Sequence, residues 1–113
     1  MIYSDYGYEI KARDHLLCIY LYGEIDHHSA VGLRQELDEE ILRRQPARLV
    51  LDLSRIEFMD SAGLGLLMGR YRLMQSIGGV MVISNANERV LKILRLAGME
   101  RFFEIAGLKG EKR

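Results

Sequence analysis

Short apolar runs alternate with segments of helical spacing along this chain, and that alternation limits the fold more than any other feature. Residues 16–22, Leu-Leu-Cys-Ile-Tyr-Leu-Tyr, are a near-continuous apolar run rich in β-formers. That is the pattern of a strand covered on both faces. Residues 8–12 alternate more loosely, and Arg13-Asp14-His15 between the two runs has turn character. The pair predicts an antiparallel hairpin whose second strand ends at Gly23. Residues 48–53 and 80–83 predict two more strands. Residues 102–105 are either a last short strand or a helical turn.

Three helical segments lie between the strands. Ser29 is placed to cap a helix reaching about Gln45, with Ala30, Leu33, Leu37 and Ile41 on one face. Glu39–Arg43 and Glu40–Arg44 are favourable i,i+4 pairs on its solvated side. Pro46, the single proline, stops it. Residues 62–77 predict a second helix, closed by Gly78-Gly79. Its first half is apolar on every side, so it should be deeply buried. Gly63, Gly65 and Gly69 each cost a helix roughly 1 kcal/mol relative to alanine. Close approach of the helix to the sheet would offset that cost. Residues 88–97 predict a third helix, after a loop at residues 84–87.

A chain of 113 residues suffices for one domain and is too short for two. The order strand, strand, helix, strand, helix, strand, helix predicts one α/β domain over residues 1–113. Its mixed sheet has four to five strands, parallel apart from one antiparallel edge strand, and packs with three to four helices. Residues 108–113 read as a polar, frayed tail.

Charge and cysteine content exclude several functions. Lysine plus arginine equals aspartate plus glutamate at 16 each, which argues against a nucleic-acid binder. Cys18 is the only cysteine. It has no disulfide partner within the chain, belongs to no cluster with metal-ligand spacing, and reads as a small core residue. The first residues lack a basic segment followed by an apolar one, and no apolar run approaches the roughly 20 residues of a membrane span. The expectation is a cytoplasmic protein without membrane, metal or cofactor.

Sites in sheets of this kind lie beyond the carboxyl ends of the parallel strands. Loops at residues 23–28, 52–61 and 84–87 meet at that edge. Ser61 opens the second helix there, with Glu24, Asp26, His27, Asp60 and Asn85 as expected neighbours. In its ordinary role Ser61 is a helix cap. The same position also suits a phosphate, because free N–H groups and the helix dipole favour an anion. Other chemistries fit less well. Gly63, Gly65 and Gly69 depart from the dinucleotide fingerprint, since Met68 stands where its third glycine belongs, and no phosphate-loop motif occurs. A triad of Ser61, a histidine at 27 or 28 and Asp26 lacks the strained serine turn, because Met59 replaces its first glycine. No catalytic machinery is evident.

The motif Phe58-Met59-Asp60-Ser61-Ala62-Gly63-Leu64-Gly65 resembles the phosphoacceptor loop of the family named for sulphate transporters and anti-sigma factor antagonists. Gly23-Glu24-Ile25-Asp26 and Leu51-Asp52-Leu53-Ser54 resemble two further motifs of that family, and the likeness covers nearly the whole chain. Asp26-His27-His28 and Gly69-Arg70-Tyr71 narrow it to the sporulation anti-sigma factor antagonists. The resemblance implies a partner-switching protein rather than an enzyme. Unphosphorylated, such a protein binds an anti-sigma factor that is itself a serine kinase, and so releases the sigma factor. Phosphorylation of the matching serine, Ser61, ends the interaction, and a serine phosphatase resets it. The docking residues implied are Glu24, Asp26, His27, Asp60, Ser61, Ala62, Gly63 and Asn85. The free protein would be monomeric. Ala62 departs from the second serine common in close relatives, which leaves one acceptor. Relatives also serve stress-response switches and anion transporters, and a nucleotide-binding regulatory domain is the remaining alternative.

Overall fold

The computed structural model describes residues 6–106, so the polar tail expected at residues 108–113 lies outside the described residues. Eight main elements follow in order: β1 (Tyr6–Arg13), β2 (Leu16–Ile25), α1 (His27–Arg44), β3 (Arg48–Met59), α2 (Ser61–Ser76), β4 (Val80–Ser84), α3 (Glu88–Leu96) and β5 (Glu104–Ala106). The strands form one sheet in chain order. β1 pairs with β2 antiparallel, and every later pair is parallel. The mixed sheet with one antiparallel edge strand is therefore as expected. The ambiguous segment after α3 resolves into a short 3-10 turn, Met99–Arg101, followed by β5.

Each β-α-β crossover moves one place along the sheet in the same direction. Such crossovers are right-handed, which puts all three helices on one face. The core lies under them. Leu17, Ile19 and Leu21 of β2, Leu49 and Leu51 of β3, and Met81 and Ile83 of β4 pack with Leu33, Leu37 and Ile41 of α1, Leu67 and Met74 of α2, and Val90 and Leu94 of α3. The edge strand β1 reaches the same layer. Burial and the nearby Glu36 carboxylate of α1 push the Tyr8 phenol up to about 12.

This one-sided arrangement corrects the reading of residues 16–22 as a strand covered on both faces. Leu17, Ile19 and Leu21 are buried, whereas Cys18, Tyr20 and Tyr22 alternate with them on the helix-free face and are only partly buried. Cys18 is thus not a core residue. Tyr20 tolerates that face because its ring is covered by cations, Lys11 Nζ at 5.5 Å and Arg55 Cζ at 5.9 Å from its centroid.

Two element ends also differ from expectation. Gly23 does not end β2. It adopts φ 93°, a conformation open to glycine, at an irregularity in the ladder, and the strand continues to Ile25. β3 likewise runs past Asp52 to Met59, where a loop was expected. Beyond Asp52 it has left β4 and pairs only with β2, as far as Glu24 with Phe58 and Ile25 with Met59. The added residues alternate imperfectly, with Ile56 and Met59 inward and Ser54, Arg55, Glu57 and Phe58 exposed. A polar two-stranded extension of this kind reads as a loop in sequence. α1 ends as predicted, with Gln45 left-handed at φ 46° ahead of Pro46.

Candidate functional site

The extension of β2 and β3 delivers two helix starts to one place. Ile25 and Met59 are the last ladder pair, and the Asp60 amide donates to the Ile25 carbonyl at 3.3 Å. Asp26 and Asp60 follow, and each caps the helix that begins next to it. His27 and Ser61 are then the first residues of α1 and α2.

The caps are carboxylates, which corrects the placement of serine caps at both helices. At α1, Asp26 Oδ1 accepts from the Ser29 amide at 3.0 Å. The buried Ser29 hydroxyl accepts from the Asp26 amide at 2.9 Å and donates to the Glu24 carbonyl at 2.8 Å. This is a reciprocal capping box with Ser29 at its third helical position. Hydrogen bonding from the Ser29 amide holds the Asp26 carboxyl below its ordinary range, against a smaller opposing effect of burial. At α2, Asp60 Oδ1 accepts from the Ala62 amide at 2.8 Å. Ser61 itself is exposed and makes no capping bond. The reason is positional: each chain leaves its strand at Ile25 or Met59, so the next residue, an aspartate, takes the extended cap conformation. An ionised carboxylate also accepts from an amide more strongly than a hydroxyl does.

Of the eight docking residues implied by sequence, the structure collects six around this junction: Glu24, Asp26, His27, Asp60, Ser61 and Ala62. Glu24 and His27 are exposed, as is Ser61. Gly63 is buried instead. A Cβ there would collide with Met59 Cγ and lie 2.7 Å from Met59 Sδ, so this glycine lets the helix seat closely on β3. Asn85 is occupied elsewhere. Left-handed at φ 59°, it donates to Asp52 Oδ2 at 2.7 Å, eight residues before Asp60.

Asp52 is the centre of a separate buried network. Its carboxylate also accepts from the Ser54 amide at 2.9 Å and hydroxyl at 2.6 Å, and from Ser84 Oγ at 3.4 Å. Burial pushes its pKa up, but the hydrogen bonds from Ser54, Asn85 and Ser84 outweigh that and hold it below the usual carboxylate value. The network ties the loop after β4 to the middle of β3, away from Ser61.

Two features of α1 and α2 were not read from the sequence: the burial of Arg70, quoted there only as part of a motif, and a groove beside Ser61. Arg70 is 4% exposed, on the stripe of α2 that also buries Leu66, Leu67 and Met74. Its Nε forms an ion pair with Asp38 Oδ1 of α1 at 2.8 Å without the alignment of a hydrogen bond, and Nη1 is buried with no partner either. Its spacing from Leu66 and Leu67 was the available signal. The second feature is a groove of about 260 Å³ between the first turns of α1 and α2, where Ala62 and Gly65 face His27, Val31 and Arg34. Gly65 is exposed, and a Cβ built there would meet nothing within 4 Å. Gly69 is equally free of neighbours. Close approach to the sheet therefore explains Gly63 and neither of the others. Among the described residues, no group of three or more histidine, cysteine, aspartate or glutamate side chains is placed to hold a metal ion, and no helix is long and apolar enough to cross a membrane.

The class defined by the fold is a mostly parallel, one-sided α/β domain that sets an exposed serine at the first position of a capped helix. The chain belongs to the STAS domain family, whose model matches residues 8–109. An anti-sigma F factor antagonist of Paenibacillus polymyxa is 38% identical over 97 residues, covering 86% of this chain and 83% of that protein. The anti-sigma-B factor antagonist of Bacillus subtilis (strain 168) is 30% identical over 98 residues, covering 87% and 88%. Among solved structures, the anti-sigma factor antagonist SpoIIAA in its unphosphorylated form superposes with a TM-score of 0.76 at 25% identity, over 91% of this chain and 90% of that one.

Proposed function

We propose that this chain is an anti-sigma factor antagonist that acts as a single domain and switches partners by phosphorylation of Ser61. The observation that carries the reading is the exposed Ser61 hydroxyl at the start of α2, beside Asp60 and across from Asp26 and His27 of α1. In the unphosphorylated state it binds an anti-sigma factor that is also a serine kinase and so frees the sigma factor. Phosphorylation ends the binding, and a serine phosphatase restores it. Glu24, Asp26, His27, Asp60, Ser61 and Ala62 form the docking edge, with the carboxylates addressing a basic residue of the partner. The free protein is a cytoplasmic monomer. The 38% identity to an anti-sigma F factor antagonist favours sporulation transcription as its setting.

The test is intact-mass analysis after incubation with ATP and a purified anti-sigma factor of the sigma-F class. One added phosphate is expected, mapping to Ser61, and Ser61→Ala should stay folded and unmodified. A label on Ser54 or Ser84 would refute the acceptor assignment. Asp26→Asn should weaken binding of the unphosphorylated protein beyond any loss of stability. A stress-response switch is the second reading, favoured by the 30% identity to an anti-sigma-B factor antagonist. Substituting a sigma-B class anti-sigma factor in the same assay separates the two.

A further inference from the structure

The groove between α1 and α2 begins at Ala62, the residue after Ser61, and runs to Arg34 on α1. Its walls are apolar, formed by Ala30, Val31, Gly65 and Leu66, and Val31 is 52% exposed. The two ionisable groups lining it are His27 at the Ser61 end and Arg34 at the other, and no acid lines it. At about 260 Å³ it falls below the roughly 300–1,000 Å³ of small-molecule pockets, which suits a side chain rather than a whole ligand.

The charge at the Arg34 end is unbalanced. Asp38, one helical turn on, is held by Arg70 at 2.8 Å, and among the described residues Arg34 has no ion pair. Arg34 lies close enough to Arg70 to work against its charge: burial lowers the Arg70 pKa, Asp38 opposes that, and Arg34 adds to the lowering. Asp38 is thus taken by Arg70, and a carboxylate supplied by a partner would be the first to pair with Arg34. Gly65 supplies the remaining argument. Nothing in the fold occupies the space its missing side chain leaves, so that space is open to a partner along the wall of the groove.

We propose that this groove receives an aliphatic side chain of the anti-sigma factor, followed by a carboxylate that pairs with Arg34. The inference rests on the function proposed above and extends its docking edge along α1 and α2. The partner element would then present a basic group to Glu24 and Asp26, an apolar one to Val31 and Gly65, and an acidic one to Arg34. That order sets the direction in which it docks.

Titration calorimetry with a purified sigma-F class anti-sigma factor tests this, using Gly65→Leu to fill the groove, Arg34→Ala to remove the cation, and Leu96→Ser on exposed α3 as the control. Gly65→Leu replaces a helical glycine with a strong helix former in open space, so its fold is secure. Gly65→Leu and Arg34→Ala should each lower affinity at least tenfold, Arg34→Ala should also flatten the salt dependence, and Leu96→Ser should change neither. Wild-type affinity in both groove variants would overturn the groove while leaving the antagonist function standing. Failure of the wild-type chain to bind would overturn both. Light scattering covers the other occupant: a dimer that Gly65→Leu dissociates, with partner binding unchanged, would assign the groove to a second copy and refute the proposal.

Discussion

Asp26 and Asp60 hold equivalent positions on neighbouring parallel strands. Each follows the last ladder pair, Ile25 with Met59, and each caps the helix that starts there. Ser61 therefore opens a helix whose first cap is already a carboxylate. The Ala62 amide, one of the groups a phosphate would seek, is engaged by Asp60 at 2.8 Å. A phosphate on Ser61 would project outward into an acidic rim made by Glu24, Asp26 and Asp60.

From this arrangement, Ser61→Asp should leave stability unchanged, since added negative charge still suits a helix start. It should lower affinity for the anti-sigma factor at least 100-fold, because the larger side chain brings into the docking edge a charge that has no basic partner of its own and is desolvated uncompensated. Amide NMR shifts should stay near residues 24–29 and 58–63. Changes spreading through β4 would mean that the whole domain rearranges.

The two glycines at the start of α2 should respond oppositely to alanine. Gly63→Ala pushes a Cβ into Met59, which is 4% exposed and has little room to move. A loss of about 1–3 kcal/mol is expected. Gly65→Ala meets nothing and should gain up to about 1 kcal/mol of helix stability. Urea midpoints of the two variants give the comparison, and equal shifts would contradict the packing described.

Stability should fall in acid through Asp26 and Asp52. Both carboxyls lie below their ordinary value of 3.8 in the folded protein. Their contribution is therefore present above the unfolded-state value and lost as pH drops through the folded one. Asp52→Asn should cost about 1–3 kcal/mol at pH 7, because donors from Ser54, Ser84 and Asn85 lose a charged acceptor. Denaturation between pH 7 and pH 3 should show the gap between wild type and variant closing below about pH 4. A gap that widens in acid would reverse the assignment.

Asp38 and Arg70 should differ in what their removal costs. Asp38→Ala leaves the buried guanidinium unpaired and should destabilise by up to about 3 kcal/mol, a figure reduced from the fully buried case because Asp38 is about one-third exposed. Arg70→Met removes the charge while keeping much of the side-chain volume, and should cost less. Thermal melts of both variants and the double mutant provide the cycle. A larger loss for Arg70→Met would show that the guanidinium contributes through packing.

Much of this protein was legible in its residues. Leu33, Leu37 and Ile41 mark the buried face of α1 by spacing alone. Pro46 and Gly78 mark helix ends, and the order of elements determined a mostly parallel sheet. The Asp60-Ser61 helix start was visible because capping is local and depends on a few neighbouring residues. What lay beyond sequence was whatever needed a partner distant in the chain. Which face of residues 16–22 is bare follows from all three crossovers turning the same way. The continuation of β3 past Asp52 depends on β2 bulging at Gly23 and staying alongside it. Asn85 looked like a neighbour of Ser61 and is instead bound to Asp52, because β3 outruns β4 by the length of that extension. Gly63 and Gly65 are alike in sequence, yet one is pressed against Met59 and the other faces open space. Local propensity and spacing determine elements. Which side chains meet, and which stay free to meet something else, is decided only when strands of different length are laid side by side.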